Sequence, residues 1–330
     1  MLLLAGLAIT AVAAEAGAQK GAGASQIRSA VSVIDTATNR VAVKAIKVGP
    51  FPSAIALTPD GSRAYVVNSG GAKHGSVSMI DTATNKVAAK AIPVGRDPEQ
   101  IAIAPDGSRA YVADFGSNAV SVIDTATNSL AVKAVGVGRG PTAIAITPDG
   151  SRAYVANTLS GTVSVIDTAT DEPGAKAIRV GHRPAAIAIA PNGSRVYVAN
   201  MRDDTVSVID TATNEPAARP IKTGDGPAAI AISPNGARAY VANAHDSTVS
   251  VIDTATDRPA AKVIKVAPRP TAIAITPDGD RAYMTSLEPG IVSAIDTATD
   301  KRVAKAIRIG PFPLALAIAP DGSRVYVVKN

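Results

Sequence analysis

A 43-residue unit at 139–181, RGPTAIAITPDGSRAYVANTLSGTVSVIDTATDEPGAKAIRVG, is repeated in close copies through almost everything after residue 26. Three signatures recur in fixed order. A Pro-Asp/Asn-Gly turn begins at Pro59, Pro105, Pro148, Pro191, Pro234, Pro277 and Pro320. A strand carries Tyr65, Tyr111, Tyr154, Tyr197, Tyr240, Tyr283 and Tyr326. An Ile-Asp-Thr-Ala-Thr-Asn/Asp motif places its aspartate at Asp35, Asp81, Asp124, Asp167, Asp210, Asp253 and Asp296. The spacing is constant except where the Ser69–Gly75 loop is three residues longer. Periods of this size with four short strands per unit are the mark of propeller blades.

Within 139–181 the strands can be placed. Ala143–Ile146 alternates small and large residues and forms strand A. Pro148-Asp-Gly150 supplies a turn in which Pro presets φ and Gly accepts a positive one. Arg152–Ala156 is strand B, Thr162–Ile166 strand C and Ala175–Val180 the outer strand D. Between C and D, Asp167 can accept from backbone N–H groups two residues on, and Asp171 or its Asn equivalents tolerate the left-handed conformation. The chain starts on strands C and D (Val31–Ile34, Val41–Val48) and ends on A and B (Leu314–Ile318, Arg324–Val328). The two half-blades are expected to pair and close a seven-bladed, all-β ring of four-stranded antiparallel blades. An open solenoid would want polar capping repeats instead.

The Arg-Ala-Tyr-Val-Ala-Asn and Val-Ser-Val-Ile-Asp-Thr-Ala-Thr-Asn units resemble the YVTN-repeat β-propeller family of exported bacterial and surface-layer-type archaeal proteins, over residues 27–330. That resemblance implies a binding or scaffolding propeller, with lactonase-like or cofactor-bearing relatives. It implies no fixed active site, because fold alone does not give function.

Composition fits this architecture. Aromatics make up 3% with no Trp, so the core must be built from Ala and β-branched residues that suit pleated strands. There is no cysteine, hence neither a disulfide frame nor a thiolate metal site. Residues 1–14 form an apolar run too short to span a bilayer but suited to a secretory signal, with Ala11-Val-Ala13 for cleavage. No Lys or Arg precedes the run, a departure from the usual signal. Residues 15–26 are an Ala/Gly-rich linker. A secreted, periplasmic or cell-surface location is expected.

Most charge belongs to the repeat. The net is +6, but Arg63, Arg109, Arg152, Arg195, Arg238, Arg281 and Arg324 recur once per blade. Lys44, Lys90, Lys133, Lys176, Arg219, Lys262 and Lys305 fall on strand D, where edge cations oppose aggregation. A basic rim for nucleic acid or envelope glycan is the alternative, though no nucleic-acid motif or stacking platform accompanies it. The repeated aspartates lack the alternating ligands of a calcium loop and read as turn caps. Gly136–Gly140 precedes a strand, not a helix, and so is no phosphate loop.

Function must lie where the copies differ. The D–A and B–C connections of a propeller share the face at the channel mouth, and there the copies vary. Entering strand A they read Pro50-Phe51, Arg96-Asp97, Arg139-Gly140, His182-Arg183, Asp225-Gly226, Pro268-Arg269 and Pro311-Phe312. The B–C loops add Lys73 and His74, Phe115, Leu159, Met201-Arg-Asp-Asp204, His245-Asp246 and Leu287-Glu288, and Glu99-Gln100 replaces a small pair in strand A. The candidate ligand-binding residues are therefore Arg96, Asp97, Glu99, Gln100, Arg139, His182, Arg183, Asp225, His245 and Arg269. The expected role is non-catalytic recognition, without cofactor or metal, by a monomer that binds a protein, envelope glycan or small ligand. A lactonase-like or lyase-like enzyme using Glu99 and a His, with or without a metal, is the alternative.

Overall fold

A computed structural model describes residues 29–330 apart from 71–73, 89, 218, 261–262 and 304. The expected signal and linker, together with Lys73 and Lys262, lie outside the described residues. Seven antiparallel sheets form the blades. Blades 1 to 7 begin at Pro52, Pro98, Pro141, Pro184, Pro227, Pro270 and Pro313. In blade 3, strands A, B and C are Pro141–Ile146, Arg152–Asn157 and Thr162–Asp167. The A strands of neighbouring blades touch all round, including Pro313–Ile318 of blade 7 against Pro52–Leu57 of blade 1. Blade 7 is completed from both ends of the chain, with Ala30–Asp35 paired to Arg324–Lys329 from Ala30↔Lys329 to Asp35↔Arg324.

The core lies between blades rather than within them, because each sheet has two faces to bury. Tyr154, Val163 and Val165 of blade 3, for example, pack on Ile187, Val198 and Ile209 of blade 4. The Pro-Asp-Gly and Asp-Thr-Ala-Thr turns behave as their chemistry requires. Gly150 has φ 73° and Asp171 φ 56°. Asp167 Oδ1 accepts from the Ala169 and Thr170 N–H groups at 2.9 and 3.0 Å. Asn192, part of an Asn-Gly-Ser sequence, caps its own hairpin in the same way by accepting from the Ser194 N–H at 3.0 Å.

The left-handed residue of each C–D turn has a second task. Its side chain accepts a hydrogen bond from the buried tyrosine of the preceding blade. Tyr154 Oη donates to Asn214 Oδ1 at 2.7 Å, Tyr65 to Asn128 at 2.7 Å and Tyr283 to Asn39 at 2.9 Å. Where the acceptor is an acid, at Asp171, Asp257 and Asp300, it receives Tyr111, Tyr197 and Tyr240 at 3.0–3.1 Å. Those same acids also pair with the strand-B arginines Arg109, Arg195 and Arg238. Opposite an Asn, the arginine donates to a threonine carbonyl, as Arg152 does to Thr211 at 2.7 Å. Only between blades 7 and 1 is the clasp unmade among the described residues: Asn85 Oδ1 is buried without a partner.

The outer strand differs from expectation. Instead of one run at Ala175–Val180, blade 3 has two short pieces, Glu172–Pro173 and Ile178–Arg179, both on strand C. The Gly174 N–H makes a last bond to Val165 O at 2.7 Å before the chain leaves the sheet. Lys90, Lys133, Lys176, Arg219 and Lys305 sit in these gaps rather than on a ladder. An edge strand has no neighbour on its outer side, so nothing holds its middle down. Among the described residues, blade 7 alone has a long outer strand, Arg40–Lys47, with register shifts.

Removing one clasp should cost about 1 kcal/mol, the net worth of a neutral hydrogen bond. Tyr154→Phe is accordingly expected to melt a few degrees below the parent. Tyr326→Phe, which loses no bond, should melt with the parent. Equal losses in a thermal melt would remove the clasp from the account of stability.

Candidate functional site

The mouth face is built by extending each A–B hairpin beyond a bulge. In blade 3 the register shifts between Pro141 and Ala143. The residue before strand A is left-handed in every blade: Phe51, Asp97, Gly140, Arg183, Gly226, Arg269 and Phe312 have φ between 47° and 66°. Its carbonyl accepts an N–H from the start of the B–C loop, as in Thr158 to Gly140 at 2.8 Å and Met201 to Arg183 at 3.0 Å. The bulge demands this conformation, and only Gly140 and Gly226 meet it without a side chain. The other five bear it at about 1 kcal/mol or more each.

Those bonds tie each D–A loop to the B–C loop of its own blade, and several charged side chains pair in the same way. His182 Nδ1 lies 2.9 Å from Asp203 and His245 Nδ1 3.1 Å from Asp225. Arg269 lies 3.7 Å from Glu288, and Arg96 Nη2 donates to Gly116 O at 2.8 Å. Asp97 holds the bulge through its carbonyl, which accepts the Phe115 N–H at 3.0 Å. The side chains of Arg139 and Arg183 have no partner among the described residues. No three His, Asp or Glu side chains are grouped to hold a metal among the described residues, and His74 lies exposed on its loop.

Glu99 stands apart from these pairs. It is 4% exposed and makes no hydrogen bond or ion pair among the described residues. It occupies the strand-A position held by Ser53, Thr142 and Thr271 in blades 1, 3 and 6. There the hydroxyls donate to the next blade's first proline carbonyl, Pro98, Pro184 and Pro313, at 3.0–3.2 Å. Burial, reinforced by the Asp97 charge, pushes the Glu99 carboxyl up to about 8. It is thus a neutral acid at pH 7, able to donate like the hydroxyls it replaces. Gln100 is spent on structure, accepting the Ile144 N–H of the next blade at 2.5 Å.

Two residues outside the candidate set belong with it. Asp114 stands where four other blades have Asn68, Asn157, Asn200 and Asn243. Burial pushes its carboxyl up to about 7, although Ser121 donates to it at 2.6 Å. Arg202 lines a mouth cleft of about 330 Å³ between blades 3 and 4 with His182 and Arg183. Asp114 was detectable as an acid replacing a repeat asparagine. Arg202 was one charge among several in a variable loop. A larger hollow of about 760 Å³, between the outer edges of blades 3 and 4, is the gap left by the broken strand around Lys176 and lies away from these loops.

The sequence pattern described as "Lactonase, 7-bladed beta-propeller" matches residues 16–137 and 100–258. Among solved structures, a chain of Kuenenia stuttgartiensis hydrazine synthase is similar with TM-score 0.75 and 24% identity, over 85% of this chain and 96% of that one. At that identity the likeness concerns fold. No curated protein matches the sequence.

Two outcomes are expected. Glu99 holds its proton more tightly folded than unfolded, so its stabilising contribution is complete below the ordinary value of 4.5 and is lost as pH rises through about 8. Glu99→Gln should therefore melt with the parent near about pH 4 and several degrees above it near about pH 9, because each tenfold gain in proton affinity is worth roughly 1.4 kcal/mol. A pH-independent difference in melting temperature would contradict this. Arg183→Gly should gain about 1 kcal/mol in a denaturant titration by relieving the left-handed strain. A loss of stability would place the Arg183 side chain in the packing.

Proposed function

The chain belongs to the lactonase family of seven-bladed β-propellers, and we propose that it works without a chemical step, as an exported module. Its D–A and B–C loop face recognises a protein, an envelope glycan or a small ligand. One observation carries this reading. At seven equivalent left-handed positions around the mouth, five keep Phe, Asp or Arg where glycine would be easier. The opposite face repeats the same two turns in every blade. Backbone strain held at positions whose side chains differ from blade to blade suits a recognition surface, with loops fixed by strands and side chains chosen singly. The YVTN-repeat subtype is the finer placement favoured by strand ends such as Tyr154-Val-Ala-Asn157.

Lactone hydrolysis is the second reading, favoured by the family and by Glu99. A buried acid that keeps its proton at neutral pH is suited to protonate a leaving oxygen. It needs a nucleophile or activated water beside Glu99. A lactone panel assayed by acid release would show turnover that falls at least about a hundredfold in Glu99→Gln if the acid acts this way.

Binding to arrayed envelope glycans and small ligands tests the first reading. Arg139→Ala/Arg183→Ala/Arg269→Ala should weaken the parent's ligands about tenfold or more, the loss of one charge-assisted hydrogen bond. Ala126→Arg/Ala169→Arg/Ala212→Arg, on the opposite face, should leave them unchanged. Ligands indifferent to the first variant and lost by the second would overturn the assignment of the face.

A further inference from the structure

We propose that the mouth cleft between blades 3 and 4 binds a small organic carboxylate with an apolar flank, an inference that rests on the mouth-face reading above. Five arginines occur on the mouth loops of the described residues: Arg96, Arg139, Arg183, Arg202 and Arg269. Arg96 is spent on the Gly116 carbonyl, and Arg269 faces Glu288. The side chains of Arg139, Arg183 and Arg202 have no partner among the described residues. All three fall on blades 3 and 4.

Arg183, Arg202 and His182 line one side of the cleft, and Thr158, Leu159 and Ser160 line the other. Arg139 is fixed at its edge, its N–H on Ser160 Oγ at 2.8 Å and its carbonyl taking the Leu159 N–H at 3.1 Å. The nearby acids are occupied. Asp203 accepts the His182 N–H at 2.7 Å and faces its ring at 2.9 Å, while Asp204 accepts the Gly226 N–H of blade 5 at 2.9 Å. Three guanidinium groups thus stand against two carboxylates that are engaged elsewhere, so their N–H donors stay free, and guanidinium forks suit carboxylates by paired hydrogen bonds.

The apolar flank comes from a missing side chain. A Cβ on Gly140 would lie 2.7 Å from Leu159 Cγ and 2.8 Å from Phe115 Cε2, so those two side chains close around the glycine. Leu159 remains 40% exposed beside the arginines. About 330 Å³ is the small end of ligand sites. A polymer would need the positive charge to continue round the rim, yet blade 5 presents Asp225 beside His245 and blade 6 sets Glu288 against Arg269. The geometry therefore favours a small molecule.

Calorimetric titration of the full chain at constant ionic strength tests this with 4-phenylbutyrate and its uncharged amide. The acid is expected to bind saturably, and the amide about tenfold more weakly or worse. Arg183→Gln/Arg202→Gln should weaken the acid by a similar factor and Leu159→Ser severalfold, while Arg258→Gln/Arg302→Gln on the outer edge should change nothing. Circular dichroism confirms that each variant is folded. Equal binding of acid and amide, unaltered binding by the double variant, or no saturable heat would overturn the proposal. Should the acid fail while the triple arginine variant still loses array ligands, only the cleft falls. Should both fail, the mouth-face reading falls with it.

Discussion

The ring depends on a hydrogen bond between a tyrosine and the turn of the following blade. Seven sheets could stack through apolar faces alone, since Val, Ile and Ala pack in many registers. A phenol buried between two blades allows far fewer, because its hydroxyl must find an acceptor or lose the full value of its hydration. The C–D turn supplies that acceptor at a position where the left-handed conformation already favours Asn or Asp. One residue thus ends its own hairpin and fixes the angle of the blade before it. At Asp171, Asp257 and Asp300 an arginine shares the acceptor, so those three seams carry charge as well.

Much of this was legible in the sequence, for a physical reason. Turns such as Pro148-Asp-Gly150 act over a few residues, and closure of the ring follows from half-blades at the two ends. The destination of Tyr154 was not legible. Asn214 is sixty residues away, and only the stacking of one sheet on the next brings it near. The break in the outer strand was hidden as well, because Ala175–Val180 has an ordinary strand pattern and what it lacks is a neighbour.

The candidate site divides similarly. Variation among copies pointed to the loop face as the place where the blades are individual, and it singled out Glu99. It gave no hint that His182 would meet Asp203 and His245 would meet Asp225 within single blades. That pairing follows from hydrogen bonds between the D–A and B–C loops, which engage the acids nearby and leave the side chains of the blade 3 and 4 arginines without partners among the described residues. Asp114 shows the opposite limit: one atom's change from a repeat asparagine is easily passed over, yet it places a second raised acid in the blade that already holds Glu99.

Completing blade 7 from both ends of the chain orders events in time. The hairpin of Ala30–Asp35 and Arg40–Lys47 is among the first parts of the propeller made, and its inner edge pairs with Arg324–Lys329, among the last. Until the ribosome releases those residues, six blades can stack but the first hairpin keeps a bare row of amides, the kind of edge that invites a wrong partner. The entropy of joining ends so far apart grows only with the logarithm of their separation. For this chain, then, the hazard lies less in closing the ring than in waiting for the strand that closes it.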